Sequence, residues 1–318
     1  MLEVCLRTLL ASTDVDLEIV VVLNGCDEDL PRITESSEKV HVISTGEPVG
    51  FSDANNVGVG WAKTNLGDAD YYYFVNNDTR SEPDALALQV EALDADDRAA
   101  VAGPTLIIEW APDHLNSLGL NVTDDAWGWD EGLGISLEDY GALPGRREVT
   151  AVTGSAMLVD VEVYDRVRGW TVLYDYYFED IDICLKVRGK GYTVIHEPTA
   201  VVGHHVSATM TLESDHKVYL FYRNRLLLSL VHWPLGLLGS VLKFAVVDEV
   251  IRRPRSETET RRKALWGALR KLPRALFMRL RHRGRKDWVD LLVPRGSTPV
   301  ITLPEKPGND SESGASQQ

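Results

Sequence analysis

Apolar runs alternating with helix-period stretches constrain this chain more than any other feature. Leu17–Leu23 is a short β-branched run ended by the turn pair Asn24-Gly25. Val40–Thr45 alternates, and Tyr71–Val75 is stopped by Asn76-Asn77-Asp78. Each reads as a strand, and the first as a buried one. Between them Leu2–Leu10, Ser52–Ala62 and Pro83–Leu93 carry helical patterns, the last with proline suited to a first helical position. Such alternation predicts an α/β fold, Rossmann-like, with a mostly parallel sheet covered by helices on both faces. A sheet of this kind opens with a strand, whereas this sequence opens inside a helix. Its first strand is therefore expected to be missing.

Further along, Ala99–Ile108 and Val149–Val159 read as strands around a Gly- and Trp-containing stretch. Glu179–Arg188 reads as a helix, with Ile183, Cys184 and Val187 inward and Lys186, Arg188 and Lys190 outward. Tyr192–Ile195 and Ala200–Val202 read as short strands. A hydrophobic share of 44% and a charged share of 25% exclude a disordered or coiled-coil chain. Cys5, Cys26 and Cys184 are odd in number and form no C-x-x-C pair, which fits a reducing compartment and no disulfide framework. The first residues lack the basic-then-apolar pattern of a secretory signal.

Charge is spread unevenly. The net charge is −15, yet residues 250–286 carry 14 Lys+Arg against 2 Asp+Glu. An acidic body with a basic C-terminal segment fits attachment to an anionic membrane surface through that segment. It disfavours nucleic acid, because the body would repel phosphates.

Four segments could carry chemistry. Asn76-Asn77-Asp78 follows a strand, where open α/β sheets bind ligands, and a carboxylate there can hold a divalent cation on a diphosphate. An Asx turn leading to Pro83 would use the same residues. Glu179, Asp180 and Asp182 crowd a helix N-terminus. Capping needs fewer carboxylates, and mutual repulsion raises the proton affinity of one of them, as suits a general base. His204-His205 closes a strand and could add an imidazole ligand to the same cation as Asp78. Gly50-Phe51-Ser52-Asp53-Ala54-Asn55-Asn56 opens a helix whose N-terminus and amides could face a nucleotide or its phosphates, or simply cap the helix.

Taken in order, these segments resemble the family 2 glycosyltransferases of the GT-A fold, most closely the rhamnosyltransferase-like branch. The resemblance runs from Leu2 to Thr209 through EIVVVLNG (18–25), GFSDANN (50–56), FVNNDT (74–79), TGSAMLVD (153–160), RGWTVLYDYYFEDIDICLKVRGKGY (168–192) and PTAVVGHHVSAT (198–209). It implies inverting transfer of a sugar, rhamnose or another hexose, from a nucleotide-sugar donor to a hydroxyl of a glycan or lipid-linked glycan acceptor. It also implies that Asp78, with His204 or His205, binds Mg²⁺ or Mn²⁺, and that Asp180 is the base, with Glu179 and Asp182 beside it. Asn24, Gly50, Phe51, Asn55, Asn56, Asn76, Asn77, Gly154 and Ser155 are the implied donor contacts. Three positions depart from the family. Leu23, followed by Asn24, replaces an aspartate that contacts the nucleobase. The first strand and its Tyr-Asn-type loop are absent. G-G-F-D-E becomes Arg168-Gly169-Trp170-Thr171-Val172, on the acceptor side. The first two motivate a competing reading, a catalytically silent binding module of the same fold.

The C-terminal third divides from a 1–215 catalytic domain as 216–250, 251–292 and 293–318. Leu226–Leu242 is uncharged but falls short of the ~20 apolar residues of a membrane span, and Pro234 breaks it. It suits an interfacial helix pair or a domain-packing helix. Within 251–292, Trp266, Leu269, Leu272, Leu276, Phe277 and Leu280 recur at near-helical spacing among basic residues, the make-up of a helix lying on a membrane or docked on the acidic body. Residues 293–318 are expected to be a disordered tail. The expected location is cytoplasmic, peripheral at the inner face of the cell membrane.

Overall fold

The computed structural model describes residues 1–26, 30–206, 215–251, 255–304 and 306. The chain opens with α1 (Leu2–Leu10), β1 (Ile19–Leu23), α2 (Ile33–Ser36), β2 (Val40–Ser44) and α3 (Phe51–Asn65). β1 and β2 pair in parallel, from Ile19 opposite Val40 to Leu23 opposite Ser44, as a sheet of their own.

The main sheet is assembled from β3 (Tyr71–Val75), β4 (Thr79–Ser81), β5 (Ala99–Ile108), β6 (Ala111–Ser117), β9 (Arg147–Glu148), β10 (Ala156–Asp160) and β11 (Thr193–His204). Between β3 and β6 the chain also forms α4 (Ala85–Asp94). An excursion after β6 makes β7 (Leu120–Val122), β8 (Gly128–Asp130) and α5 (Leu137–Tyr140). Strand order is β3-β10-β5-β11-β4, with β6 on β5 and β9 on β11. β3, β5 and β11 run one way. β10 lies antiparallel between β3 and β5, and β4 is antiparallel to β11, so the sheet is mixed. The expected strand Val149–Val159 contracts to β10, and residues 153–155 form a loop. The two short strands after residue 192 are one, β11, interrupted by an irregularity between Glu197 and Val201.

Period-two alternation sends Met157 and Val159 into one core and Ala156 and Leu158 to the other face, so both faces are buried. α4 covers one face through Leu86, Ala92 and Leu93. α6 (Val161–Val167), α7 (Glu179–Gly189) and the C-terminal helices cover the other. These are α8 (Asp215–His232), α9 (Leu235–Lys243) and α10 (Arg255–Arg281), with a π-helical stretch at Phe244–Ile251 between the last two.

The C-terminal part corrects several expectations. α8 is a packing element, with Leu226, Leu227 and Leu228, and Trp233 just past its end, buried in the same core as Phe74 and Val101. Pro234 does end it. Two of the three basic residues expected on the outward side of α7 are covered, Lys186 and Arg188 each being only 3% exposed, whereas Lys190 is exposed. Lys186 donates to Thr171 Oγ1 and to the Gly169 carbonyl, while Arg188 reaches Glu148 and the Thr150 carbonyl. Val293 is not in a loose tail, for it pairs with Thr123 as an added bridge. Residues 308–318 of the expected tail lie outside the described residues, as does Ser207–Thr209. Among the described residues no helix is long and apolar enough to cross a membrane.

Candidate active site at the sheet edge

The loop that leaves β3 and the end of β11 are brought together by the β11–β4 pairing, which sets His204 opposite Thr79. Asp78 Oδ1 thereby lies 3.3 Å from His204 Nε2. His204 Nδ1 lies 2.8 Å from Asn116 Oδ1, so the Nδ1–H donates to that amide oxygen and the ring presents Nε2 to Asp78. Burial works to raise the Asp78 pKa, but the hydrogen bond and charge of His204 outweigh it and hold the carboxyl below its ordinary value. One carboxylate and one imidazole aimed at the same point fit a divalent cation that takes its remaining oxygens from a diphosphate and water. Among the described residues no cluster of three or more His, Cys, Asp or Glu makes a complete cage.

His205 is corrected out of this set. Strand alternation turns its ring the other way, where Nδ1 lies 2.8 Å from Glu109. Asn76 stays, donating to Ser155 Oγ at 3.2 Å and lying 3.5 Å from His204 Nε2. Asn77 is exposed beside it.

The second half of the site hangs on the same 153–155 loop. Asp180 accepts the backbone N–H of Ile181 at 2.8 Å, and the backbone of Gly154 also favours its ionised form. Burial pushes its pKa up to about 6, and the charge of Asp130 adds to the rise against those two backbone groups. Asp130, at the end of β8, is itself raised to about 6 by burial, opposed by Ser117 and by the charge of His204. It links the two halves electrostatically, and sequence reasoning missed it. Its one visible signal was a carboxylate closing a short strand ahead of the Glu131-Gly132 turn. Glu179 is 8% exposed, and burial with the neighbouring Asp180 charge raises it well above its ordinary value. Asp182 is corrected: it is fully buried beneath α8, bound by Tyr174 and His232, and faces no cleft.

Most of the expected donor amides are spent on the fold. Asn24 donates to the Val49 carbonyl at 2.9 Å and accepts the Val49 N–H at 2.8 Å, bracing the turn after β1. Asn55 folds back on Phe51. Asn56 donates to the Trp170 carbonyl and accepts from Trp170 N–H and the Tyr164 hydroxyl, so it staples the 168–172 loop. Phe51 packs edge-on against Trp170, and a Cβ on Gly154 would sit 3.2 Å from its ring. At Gly50 a Cβ would lie 2.7 Å from the Asp175 carbonyl, which accepts the Phe51 N–H. The start of α3 is thus closed by the loop that delivers Asp180.

That loop is strained. Asp175, Tyr177 and Phe178 all have positive φ, of 67°, 70° and 76°. Left-handed backbone at such residues costs roughly 1 kcal/mol or more each, so the surroundings must impose it. Asn224 of α8 does so, its fully buried amide donating to the carbonyls of Tyr174, Tyr176 and Tyr177 at 2.9, 2.7 and 3.0 Å. Arg223 and Lys271 grip Asp175 at 2.9 Å each. Asn224→Ala should destabilise the chain by about 1–3 kcal/mol and lower turnover while leaving donor affinity near the parent's. A urea titration beside steady-state kinetics reads both. Unchanged turnover with lost stability would mean the clamp has no bearing on Asp180.

Comparison with known proteins bears on the family and the fold. The sequence pattern described as Glycosyl transferase family 2 matches residues 1–167. The low-salt glycan biosynthesis hexosyltransferase Agl10 of Haloferax volcanii is 26% identical over 218 residues, 67% of either chain. An N-acetylglucosaminyl-diphospho-decaprenol L-rhamnosyltransferase of Mycobacterium tuberculosis is 23% identical, over 70% of this chain and 80% of its own. Among solved structures, GalNAc-T7 with UDP, GalNAc and Mn²⁺ superposes with a TM-score of 0.61 at 12% identity, covering 89% of this chain. The match spans 53% of that structure's length. The mannosyltransferase PcManGT of Pyrobaculum calidifontis with GDP-Man and Mn²⁺ gives 0.53 at 15% identity, covering 91% of this chain and 79% of its own.

Proposed function

Since the chain belongs to glycosyl transferase family 2, we propose that it moves a hexose, rhamnose or another, from a nucleotide-sugar to a hydroxyl of a lipid-linked glycan, with inversion, at a membrane surface. The observation that carries this reading is that two functional halves meet at one loop: Ser155 holds Asn76 beside Asp78 and His204, while the backbone of neighbouring Gly154 favours the ionised form of Asp180. The acceptor class rests on likeness to the rhamnosyltransferase, whose name specifies a diphospho-decaprenol substrate.

Asp78 and His204 would hold Mg²⁺ or Mn²⁺. When bound, the cation offsets charge on the departing nucleoside diphosphate. Asn76, and the exposed Asn77 beside it, stand where they can orient that diphosphate. Asp180 takes the proton of the acceptor hydroxyl. The freed oxygen attacks the anomeric carbon from the side opposite the diphosphate, whose C–O bond breaks with the electron pair leaving on the phosphate oxygen. One displacement inverts the centre.

A labelled nucleotide-sugar panel with Mg²⁺ or Mn²⁺ and a polyprenyl-diphosphate glycan tests the proposal. Label from one donor should pass into the lipid-extractable product with the opposite anomeric configuration. Asp78→Ala should remove metal-dependent donor binding, read by calorimetry. Donor binding without transfer to any hydroxyl would favour the silent binding module instead.

A further inference from the structure

α10 is packed by one face and bare on the other. Ala264, Ala268 and Ala275, at 0%, 3% and 0% exposure, meet α8 closely, with Lys271 and Arg279 bonded to Leu173 and Leu230 carbonyls on the same side. Diametrically opposite, Trp266, Leu269, Leu276, Phe277 and Leu280 are 66%, 46%, 45%, 56% and 58% exposed, with Pro273 among them. A helix in plain solvent carries polar residues on that side, so a row of this length is an interaction surface.

A basic stripe flanks the row. Lys263, Arg270, Arg274 and Arg281 follow one another at intervals of seven, four and seven along the helix, and all four are exposed. Lys263 pairs with Glu259, whereas no carboxylate pairs with Arg270, Arg274 or Arg281 among the described residues. Arg274 and Arg281 also wall a cleft of about 130 Å³ with Arg168, Trp170, Thr171 and His282. Arg168 likewise has no carboxylate partner among the described residues. A concave site with three such guanidinium groups is shaped for phosphate oxygens.

We propose that this face of α10 lies on an anionic phospholipid bilayer, with the Trp266–Leu280 row at the acyl boundary and Arg168, Arg274 and Arg281 on lipid phosphates. Charge complementarity selects this occupant: a cationic rim beside an apolar row matches anionic headgroups over hydrocarbon, and a second copy would set the stripe against itself or against an acidic body lacking a matching apolar row. The cleft shares Trp170 with the packing around Gly154, so docking would hold the end of the molecule carrying Asp180 near membrane-borne acceptors. The inference rests on the membrane-borne acceptor reading for its purpose, though not for its test.

The 318-residue chain is sedimented with vesicles of phosphatidylcholine, with and without phosphatidylglycerol. Binding is expected only with phosphatidylglycerol, and raised salt should weaken it. Phe277→Glu/Leu280→Glu should bring it to the neutral-vesicle level, and Arg274→Glu/Arg281→Glu should weaken it by about tenfold or more. Both variants should melt like the parent and transfer sugar to a water-soluble acceptor at the parental rate. Equal vesicle binding by parent and both variants overturns the proposal. So does binding of inorganic pyrophosphate without vesicle binding, or a dimer in light scattering that Phe277→Glu/Leu280→Glu dissolves. Loss of transfer with intact vesicle binding would instead strike the catalytic reading alone.

Discussion

Asp180→Asn should lower sugar transfer by about a thousandfold, some 4 kcal/mol of barrier, while donor affinity and melting temperature stay at the parental values. The amide oxygen can still accept the Ile181 N–H that orients the parent carboxylate. What it cannot do is take a proton. The parent's pH profile should show the same dependence from another side. A base works ionised, burial has pushed Asp180 up to about 6, and so the rate should fall with each pH step below about 6 and level off above it. Asp180→Asn should lose that acid limb. Asp130→Asn, by removing a neighbouring negative charge, should move the limb to lower pH. Since Asp130 is itself raised to about 6, the observed limb belongs to the two carboxyls together. A variant at residue 180 that retained parental turnover would remove the base from the mechanism.

Features governed by local sequence were legible. The strand at Tyr71–Val75 and the helix at Leu2–Leu10 fall where the periodicity sets them, because period and burial are both local there. The juxtaposition of Asp78 with His204 was readable as a motif, but the choice of His204 over His205 was not. It depends on the register that sets His204 opposite Thr79, and one step along a strand reverses the side chain. The asparagines misled for a related reason. An amide near a helix start can face a ligand or brace a distant loop, and the partner of Asn56 is 114 residues away. The side of α7 that carries Lys186 reads as solvent-facing on any helical wheel. It is covered because the 169–171 loop, the 148–150 segment and the short helix Asp287–Leu291, all distant in sequence or loop-borne, close around it. Asp130 belongs to no motif, and its importance arises from the proximity of His204 and Asp180 in space.

The return of the C-terminal helices unites what the sequence divided. Leu227, Trp233, Ala268 and Trp288 share one core with Phe74 and Met157. The helices that shape the Asp175–Phe178 strain and the helix proposed to meet the bilayer are therefore parts of the catalytic body. A membrane-bound α10 would be coupled to the Asp180 loop through Lys271, which reaches both the Leu173 carbonyl and Asp175.

Two residues along from the base, Asp182→Ala should destabilise the folded chain by about 3–5 kcal/mol, a large part of the 5–15 kcal/mol that holds a typical domain together. Asp182 and Lys186 have side chains 0% and 1% exposed and stand 3.3 Å apart across one helical turn. Tyr174 donates to the Asp182 carboxylate at 2.9 Å, and His232 Nε2 lies 2.7 Å from the same oxygen. Burial alone would raise this carboxyl, yet the Lys186 charge and the His232 hydrogen bond hold it far below the ordinary range. Truncation leaves the Lys186 ammonium buried without a counter-charge, and burial already lowers its pKa. Its remaining partners, the Gly169 carbonyl and Thr171 hydroxyl, carry no full charge. Because the folded carboxyl is depressed, its stabilisation is complete above the unfolded value of about 4 and drains away as pH falls below it. The gap between parent and Asp182→Ala urea midpoints should therefore be widest near neutrality and narrow toward strong acid. Transfer per folded molecule should remain near parental. Asp180→Asn should show the reverse pattern, with stability kept and turnover lost. A stable Asp182→Ala chain with abolished turnover would return Asp182 to the catalytic set from which its burial removes it.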